Sequence, residues 1–348
     1  MRLALTGHWT PIAQAEYTHQ TRSIAGRRSR WWITLLRRGW LALSVFAVVS
    51  IFLITLSASL GLFMSPQVPA EVVPLAFVVW ILIPGLALFP TTVVLHFGLM
   101  LRTLLWAANS IPREKLSGTW DLLLLTGTPA REIVQSKWWA TVRRAFPSYN
   151  RLVLLRFACV LWIIEWSRIS LSVYPRLSFS LIRDDTSTIH PLLLLLGLLV
   201  MFLLTNANLL VTAALGMLLA FASKRSAMNA GVAAVVRTLL FIAPFFLLRI
   251  GAMFFYDFYY SPYPSVGFYF SMIAQWVVIT LGDNGMMVTT LITSARTQYE
   301  AWYTDFSVAL LGVGGALLCC GLVTLAALWG ARRLALRQAA LERAKSKK

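Results

Sequence analysis

The sequence predicts an all-α, polytopic membrane protein with six transmembrane helices and both termini on the cytoplasmic side. Three observations carry this. Of 348 residues, 58% are hydrophobic and 13% charged, whereas charged residues approach about a quarter of a soluble domain. The apolar residues gather into runs of about 20, the length that crosses a 30 Å hydrocarbon core as a helix. The bases avoid those runs: the formal net charge is +18, and it falls in the loops, which argues against a nucleic-acid partner. Cys159, Cys319 and Cys320 all lie within apolar runs, which excludes a disulfide framework and a Cys/His zinc spacing.

Residues 1–38 form a cytoplasmic N-terminal segment. Its polar, Arg-bearing start leads into a long apolar run with no small-residue cleavage site, so it does not fit a signal peptide. Thr10 to Arg22 mixes polar and apolar residues ahead of GRRSRWW. It reads as an amphipathic helix along the inner interface, with Trp31 and Trp32 at the headgroup level; a disordered basic arm is the alternative. A six-span domain, 39–336, follows, and 337–348 is a basic cytoplasmic tail.

Five spans are plain: Trp40 to Phe63, Val73 to Leu101, Pro191 to Phe221, Gly231 to Phe255 and Phe306 to Leu328. The sixth is either Leu152 to Trp166, which carries Arg156 and Glu165, or the uncharged Val266 to Leu281. With Leu152 to Trp166 as the third span, 26 of the 31 bases fall on the cytoplasmic side and 4 outside, and Arg249 lies within a span. The positive-inside rule is obeyed. The other choice gives the same totals, but Lys224 and Arg225 directly abut a span, which favours the first. The outer segment 256–305 contains an aromatic cluster, suited to the outer interface, and Val266 to Leu281 is then re-entrant or surface-lying.

The loop 102–150 is the longest cytoplasmic connection. In it Ser117 reads as the cap of a helix beginning near Gly118, Leu122 to Leu125 as an apolar surface, and Gly127 as a stop. Thr128 and Pro129 open a second helix that runs to about Phe146. Ile133, Lys137, Ala140 and Arg144 share helical spacing, so that helix is apolar on one side at its start and basic on the other. Such a pair calls for a covering partner, either a cytoplasmic protein or the inner leaflet.

These residues carry a resemblance. Glu114, Gly118, Thr119, Trp120, Asp121, the Leu run with Leu124 and Leu125, Thr126, Pro129, Arg131, Glu132 and Lys137 resemble the coupling segment of type-two ABC transporter permeases. PIAQAEYTHQTRS, with Pro11, Glu16 and Arg22, is similar to that family's N-terminal elbow helix. Trp120 stands where the family usually has Leu, Gly127 is inserted near Thr126 and Pro129, and Ser136 replaces a frequent Gly. The resemblance implies cytoplasmic coupling helices seated on a separate ABC ATPase and a second permease copy or homologue beside this chain in the cytoplasmic membrane. It implies the membrane subunit of an ATP-driven exporter, or of a machine that transmits force without moving a soluble substrate. ATP and Mg would bind the partner: the sequence has no Gly-Lys dipeptide and hence no phosphate loop. A non-transporting membrane scaffold that uses the same loop is the alternative from a different class.

No catalytic, cofactor or metal set stands out. The four histidines are scattered, there is no HExxH, and Asp184, Asp185 and His190 read as a polar outer loop rather than metal ligands. Asn206 and Asn208, with Thr205 and Thr212, make a polar patch within a span, and Arg249 either snorkels outward or joins them along a translocation path. Gly312, Ala316 and Cys320 form a small-residue stripe for close helix packing, within the chain rather than between copies. LGDNG at 281–285 reads as a turn.

Overall fold

A computed structural model describes residues 83–120, 128–173, 191–221, 231–232, 235–236, 238–239, 266–283, 285–294 and 301–346. Among them there is no strand; the helices are α1 (Ile83–Ala108), α2 (Ser110–Leu116), α3 (Ala130–Val173), α4 (Pro191–Leu219), α5 (Val266–Asp283), α6 (Met286–Ser294) and α7 (Ala301–Ser346). Among the described residues, four stretches are long and apolar enough to cross a membrane: Leu88–Leu116, Ala130–Ile164, Leu192–Leu219 and Ser307–Leu341. This is the architecture of an integral membrane protein. The expected span Trp40 to Phe63, the elbow residues Pro11, Glu16 and Arg22, and nearly all of Gly231 to Phe255, Arg249 included, lie outside the described residues.

The helices pack because each buries one stripe and leaves the other apolar. Leu195, Leu199 and Phe202 of α4 are exposed, while Met201, Leu204 and Thr205 are buried, the pattern of a helix with protein on one side and lipid on the other. α4 is central, touching α1, α3, α6 and α7. It approaches α1 tightly at Gly216, where a Cβ would lie 2.6 Å from the Ala107 Cβ and 2.9 Å from the Leu104 carbonyl oxygen.

One sequence expectation is corrected. The second loop helix does not end near Phe146 ahead of a separate short span; α3 is one helix of 44 residues with Pro147 inside it, about 66 Å long. Pro147 removes one backbone hydrogen bond and crowds the preceding turn. Val142, Ala145, Tyr149, Leu152 and Val153 are nonetheless buried on both sides of it, so packing holds the helix through a residue that would otherwise stop it. Helical backbone begins again at Thr119 and Trp120, one residue past the start expected near Gly118. Ser117, ahead of it, is the C-cap of α2, its backbone N–H bonded to the Arg113 carbonyl, and Gly118 follows at φ +71°.

Val266 to Leu281 lies within α5, which packs along α7. Gly312 faces Trp276, and Gly315 faces Val277 at 2.6 Å from where a Cβ would stand. Ala316 is fully buried and Cys320 half-buried, which puts the small-residue stripe between helices of this chain. The chain turns between Asp283 and Met286, with Gly285 at φ +85° against the Leu204 side chain.

Candidate functional site

The site is assembled at the end of the bundle where α1 stops, α3 starts and α7 runs on. Asn109 separates α1 from the two turns of α2, and the Ser110 hydroxyl donates to the Ala107 carbonyl at 2.8 Å. α2 is thereby folded back onto the bundle, with Ile111 fully buried. From there three anchors tie the segment to α3, to α7 and to the chain just past α4. Glu114 accepts a hydrogen bond and ion pair from Lys137 of α3. Lys115 donates to the Gln338 side chain of α7 and lies 5.7 Å and 5.8 Å from the Trp120 and Phe221 ring centroids. Trp120 is 1% exposed and meets Phe221, just past α4, edge to face at 6.2 Å, a favoured aromatic geometry.

Between these anchors the chain turns outward. Leu116 is 80% exposed, and Ser117, Gly118 and Thr119 are exposed. The Ser117 hydroxyl donates to the Glu114 carbonyl at 3.1 Å and Thr119 to the same oxygen at 3.3 Å. The turn is therefore pinned by its own short side chains rather than by contacts beyond it. Gly118 has nothing within 4 Å of a would-be Cβ; its positive φ, not crowding, is what calls for glycine.

The first turn of α3 is the other half of the surface. The Pro129 carbonyl receives the N–H groups of Glu132 and Ile133, so Pro129 lies at the boundary itself and Ala130 is the first helical residue. Pro129, Arg131 and Glu132 are exposed, while Ala130, Ile133, Val134 and Lys137 are buried. Arg332 of α7 donates to the Gln135 side chain at 3.2 Å. Glu132 near this N-terminus is favourably placed in the helix dipole.

The residues singled out in the sequence thus divide. Gly118, Thr119, Pro129, Arg131 and Glu132 face outward; Glu114, Trp120 and Lys137 face inward; Asp121, Leu124, Leu125 and Thr126 lie outside the described residues. The expected basic side of the α3 start is not entirely outward, since Lys137 is fully buried beside Ile133 and Ala140. Its charge is accommodated by Glu114, a carboxylate brought across from α2.

Within the bundle, Asn206 is half-buried, donating to the Phe202 carbonyl at 2.9 Å and lying 3.4 Å from the Asn150 side chain. Asn208 is buried and its amide oxygen accepts from Thr212. Sequence reasoning missed a third polar group. Arg156, noted above within the short run Leu152 to Trp166 but given no role there, is 3% exposed inside the bundle, 3.2 Å from Thr205 Oγ1 of α4 and 3.4 Å from His96 Nδ1 of α1. Thr92 of α1 and Cys159 of α3 meet at 3.2 Å nearby. An arginine in a short apolar run, opposite a histidine in another, was the available signal. Among the described residues, no three His, Cys, Asp or Glu side chains are grouped to hold a metal.

No protein-family model and no curated protein matches this chain.

Proposed function

We propose that the chain is the membrane-spanning permease subunit of an ATP-driven ABC transporter, an exporter in the cytoplasmic membrane, with residues 114–144 coupling it to a separate cytoplasmic ATPase. The observation that carries this reading is the outward turn Leu116–Thr119, held from behind by Glu114–Lys137, Lys115–Gln338 and Trp120–Phe221. A surface load on that turn is passed to α3, α7 and the end of α4, two of which continue as helices of 44 and 46 residues. Exposed contacts on a rigidly anchored turn suit the conversion of a partner's motion into helix movement. The lack of a phosphate loop in the sequence puts ATP and Mg on that partner, and a second permease copy or homologue completes the pathway by the same resemblance. Asn206, Asn208 and Arg156 are the polar groups this reading places closest to a translocation path.

The test replaces Leu124 and Leu125 by Ser, or Glu132 by Lys, and follows copurification of the ATPase and nucleotide-dependent transport. Two buried Leu contacts are worth roughly 3 to 6 kcal/mol, so docking weakens by about a hundredfold or more while insertion into the membrane is kept. A double Ser variant that holds the ATPase and transports normally overturns the coupling role. Wild-type protein that copurifies with another membrane complex and no ATPase favours the scaffold reading.

A further inference from the structure

The last helix is longer than the bilayer core it crosses. Its apolar stretch, Ser307–Leu341, has 35 residues, about 52 Å of helix, against a hydrocarbon core of about 30 Å. A tilt of about 20° takes up only about 3 Å of the difference. Ser307 to Ala331 contains no charged residue, whereas Arg332, Arg333 and Arg337 follow, so the surplus emerges at the arginine end. The apolar surface does not stop there. Leu336 and Leu341 are 56% and 64% exposed, and Leu341 lies about 12 Å beyond Arg333 along the axis, past a headgroup layer of about 5 to 7 Å.

This end of α7 is level with the outward turn. Ala331 and Ala335 pack in one group with Ile111, Ile133 and Val134, and the Lys115–Gln338 hydrogen bond holds α2 beside the next turn of α7. Leu116 follows Lys115 and is exposed, and Leu341 stands three residues past Gln338, so one leucine from each helix flanks that bond. At 3.6 residues per turn, Arg333 and Arg337 lie around the axis between Leu336 and Leu341. Charge here has one sign: Arg113, Arg131, Arg333 and Arg337 are exposed, and among the described residues Glu132 is the one exposed acid at this end. A cover for such a surface must supply both apolar contacts and carboxylates. Acyl chains end short of Leu341, and a second copy laid along the same face would bring Arg333 and Arg337 against their own counterparts.

We infer that the emergent end of α7, through Leu336, Arg337 and Leu341 together with Leu116 of α2, is a second docking surface for the cytoplasmic ATPase, which meets it with an apolar, acidic face. The inference rests on the permease reading and extends it: the partner holds a membrane-crossing helix directly as well as pressing on the turn beside it.

The experiment places the full-length protein in nanodiscs of phosphatidylcholine and phosphatidylglycerol and titrates the ATPase that copurifies with it, purified and identified by its hydrolysis of ATP. Leu336→Ser with Leu341→Ser is expected to weaken binding about a hundredfold, and Arg337→Glu to weaken it and flatten its salt dependence, while Arg337→Lys keeps both. These side chains are exposed, so the unfolding midpoint without ATPase should not move. As a second measurement, Leu341→Cys should react quickly with a charged maleimide and at least tenfold more slowly once ATPase is added; wild type is the blank, its Cys319 and Cys320 lying where a charged reagent does not reach. A serine pair that binds ATPase as wild type, or labelling that the ATPase does not slow, overturns this inference and leaves the turn's role standing. Labelling that is slow in nanodiscs and fast in detergent before any ATPase is added overturns it in favour of a lipid cover. A serine pair that loses self-association and keeps the ATPase overturns it in favour of a second copy. Wild-type protein that binds no ATPase overturns it together with the permease reading.

Discussion

Lys137 and Glu114 stand 23 positions apart and form an ion pair across the α2–α3 junction, the lysine fully buried and the glutamate side chain 17% exposed. A charge in such a place is retained because its partner is there. Removing either side chain breaks this buried pair, which typically costs about 3 to 5 kcal/mol. Lys137→Met should therefore lower the unfolding midpoint clearly and Glu114→Gln do likewise, whereas Glu114→Lys combined with Lys137→Glu recovers part of the loss. A double-mutant cycle read by thermal unfolding in detergent checks this; additive single losses with no recovery in the swap would show that the two side chains act separately.

Gly118 should tolerate Asn and resist Val. Its φ of +71° costs an ordinary L-residue about 1 to 2 kcal/mol, and the open space around it means that the cost is conformational alone. Asn visits this region readily, while a β-branched side chain does not. Limited proteolysis at the exposed turn, compared between Gly118→Asn and Gly118→Val, reads the difference directly: faster cleavage is expected in Val, and equal rates would remove the backbone argument.

Gly216 tests the opposite cause. Here φ is ordinary and space is missing, since a Cβ would meet Ala107 at 2.6 Å and the Leu104 carbonyl at 2.9 Å. Gly216→Ala should cost about 1 to 3 kcal/mol through overpacking. Adding Ala107→Gly relieves the side-chain clash but not the backbone one, so partial rescue is the expected result in an unfolding assay. Full rescue would mean that α1 and α4 are free to part at the carbonyl.

How much of this was legible in the sequence depends on range. The apolar runs of α1, α4 and α7 are local signals, and the structure places helices on each of them. Gly118 and Pro129 are local too, and both sit at chain reversals or helix starts, one position from where capping rules put them. The helix end expected near Phe146 is absent because the local effect of Pro147 is outweighed by the buried residues on either side of it. Lys137 looked like part of a basic outer face because nothing near it in sequence shows that Glu114 folds back against it. Gly216 and Arg156 belong to the same class: their roles depend on which helix lies opposite, and only the fold supplies that.

Arg156 gives the last prediction. Its guanidinium bridges α1 and α4 from α3, with Nη1 on Thr205 and Nη2 beside His96. A planar fork can reach two partners at once, and the point-like ammonium of a lysine cannot keep both geometries. Arg156→Lys should accordingly lose stability even though charge is kept. Arg156→Leu removes the buried charge altogether, and because hydrophobic replacement of a buried charge can be neutral or better when packing is restored, it is expected to be no worse than Lys in unfolding. Thr205→Val should cost about 1 to 3 kcal/mol by leaving one guanidinium N–H without this acceptor, and that cost should vanish in an Arg156→Leu background. Unfolding midpoints of the four proteins decide the matter. If Thr205→Val costs the same with and without Arg156, the two side chains are not coupled and the bridge between α3 and α4 rests on apolar packing alone.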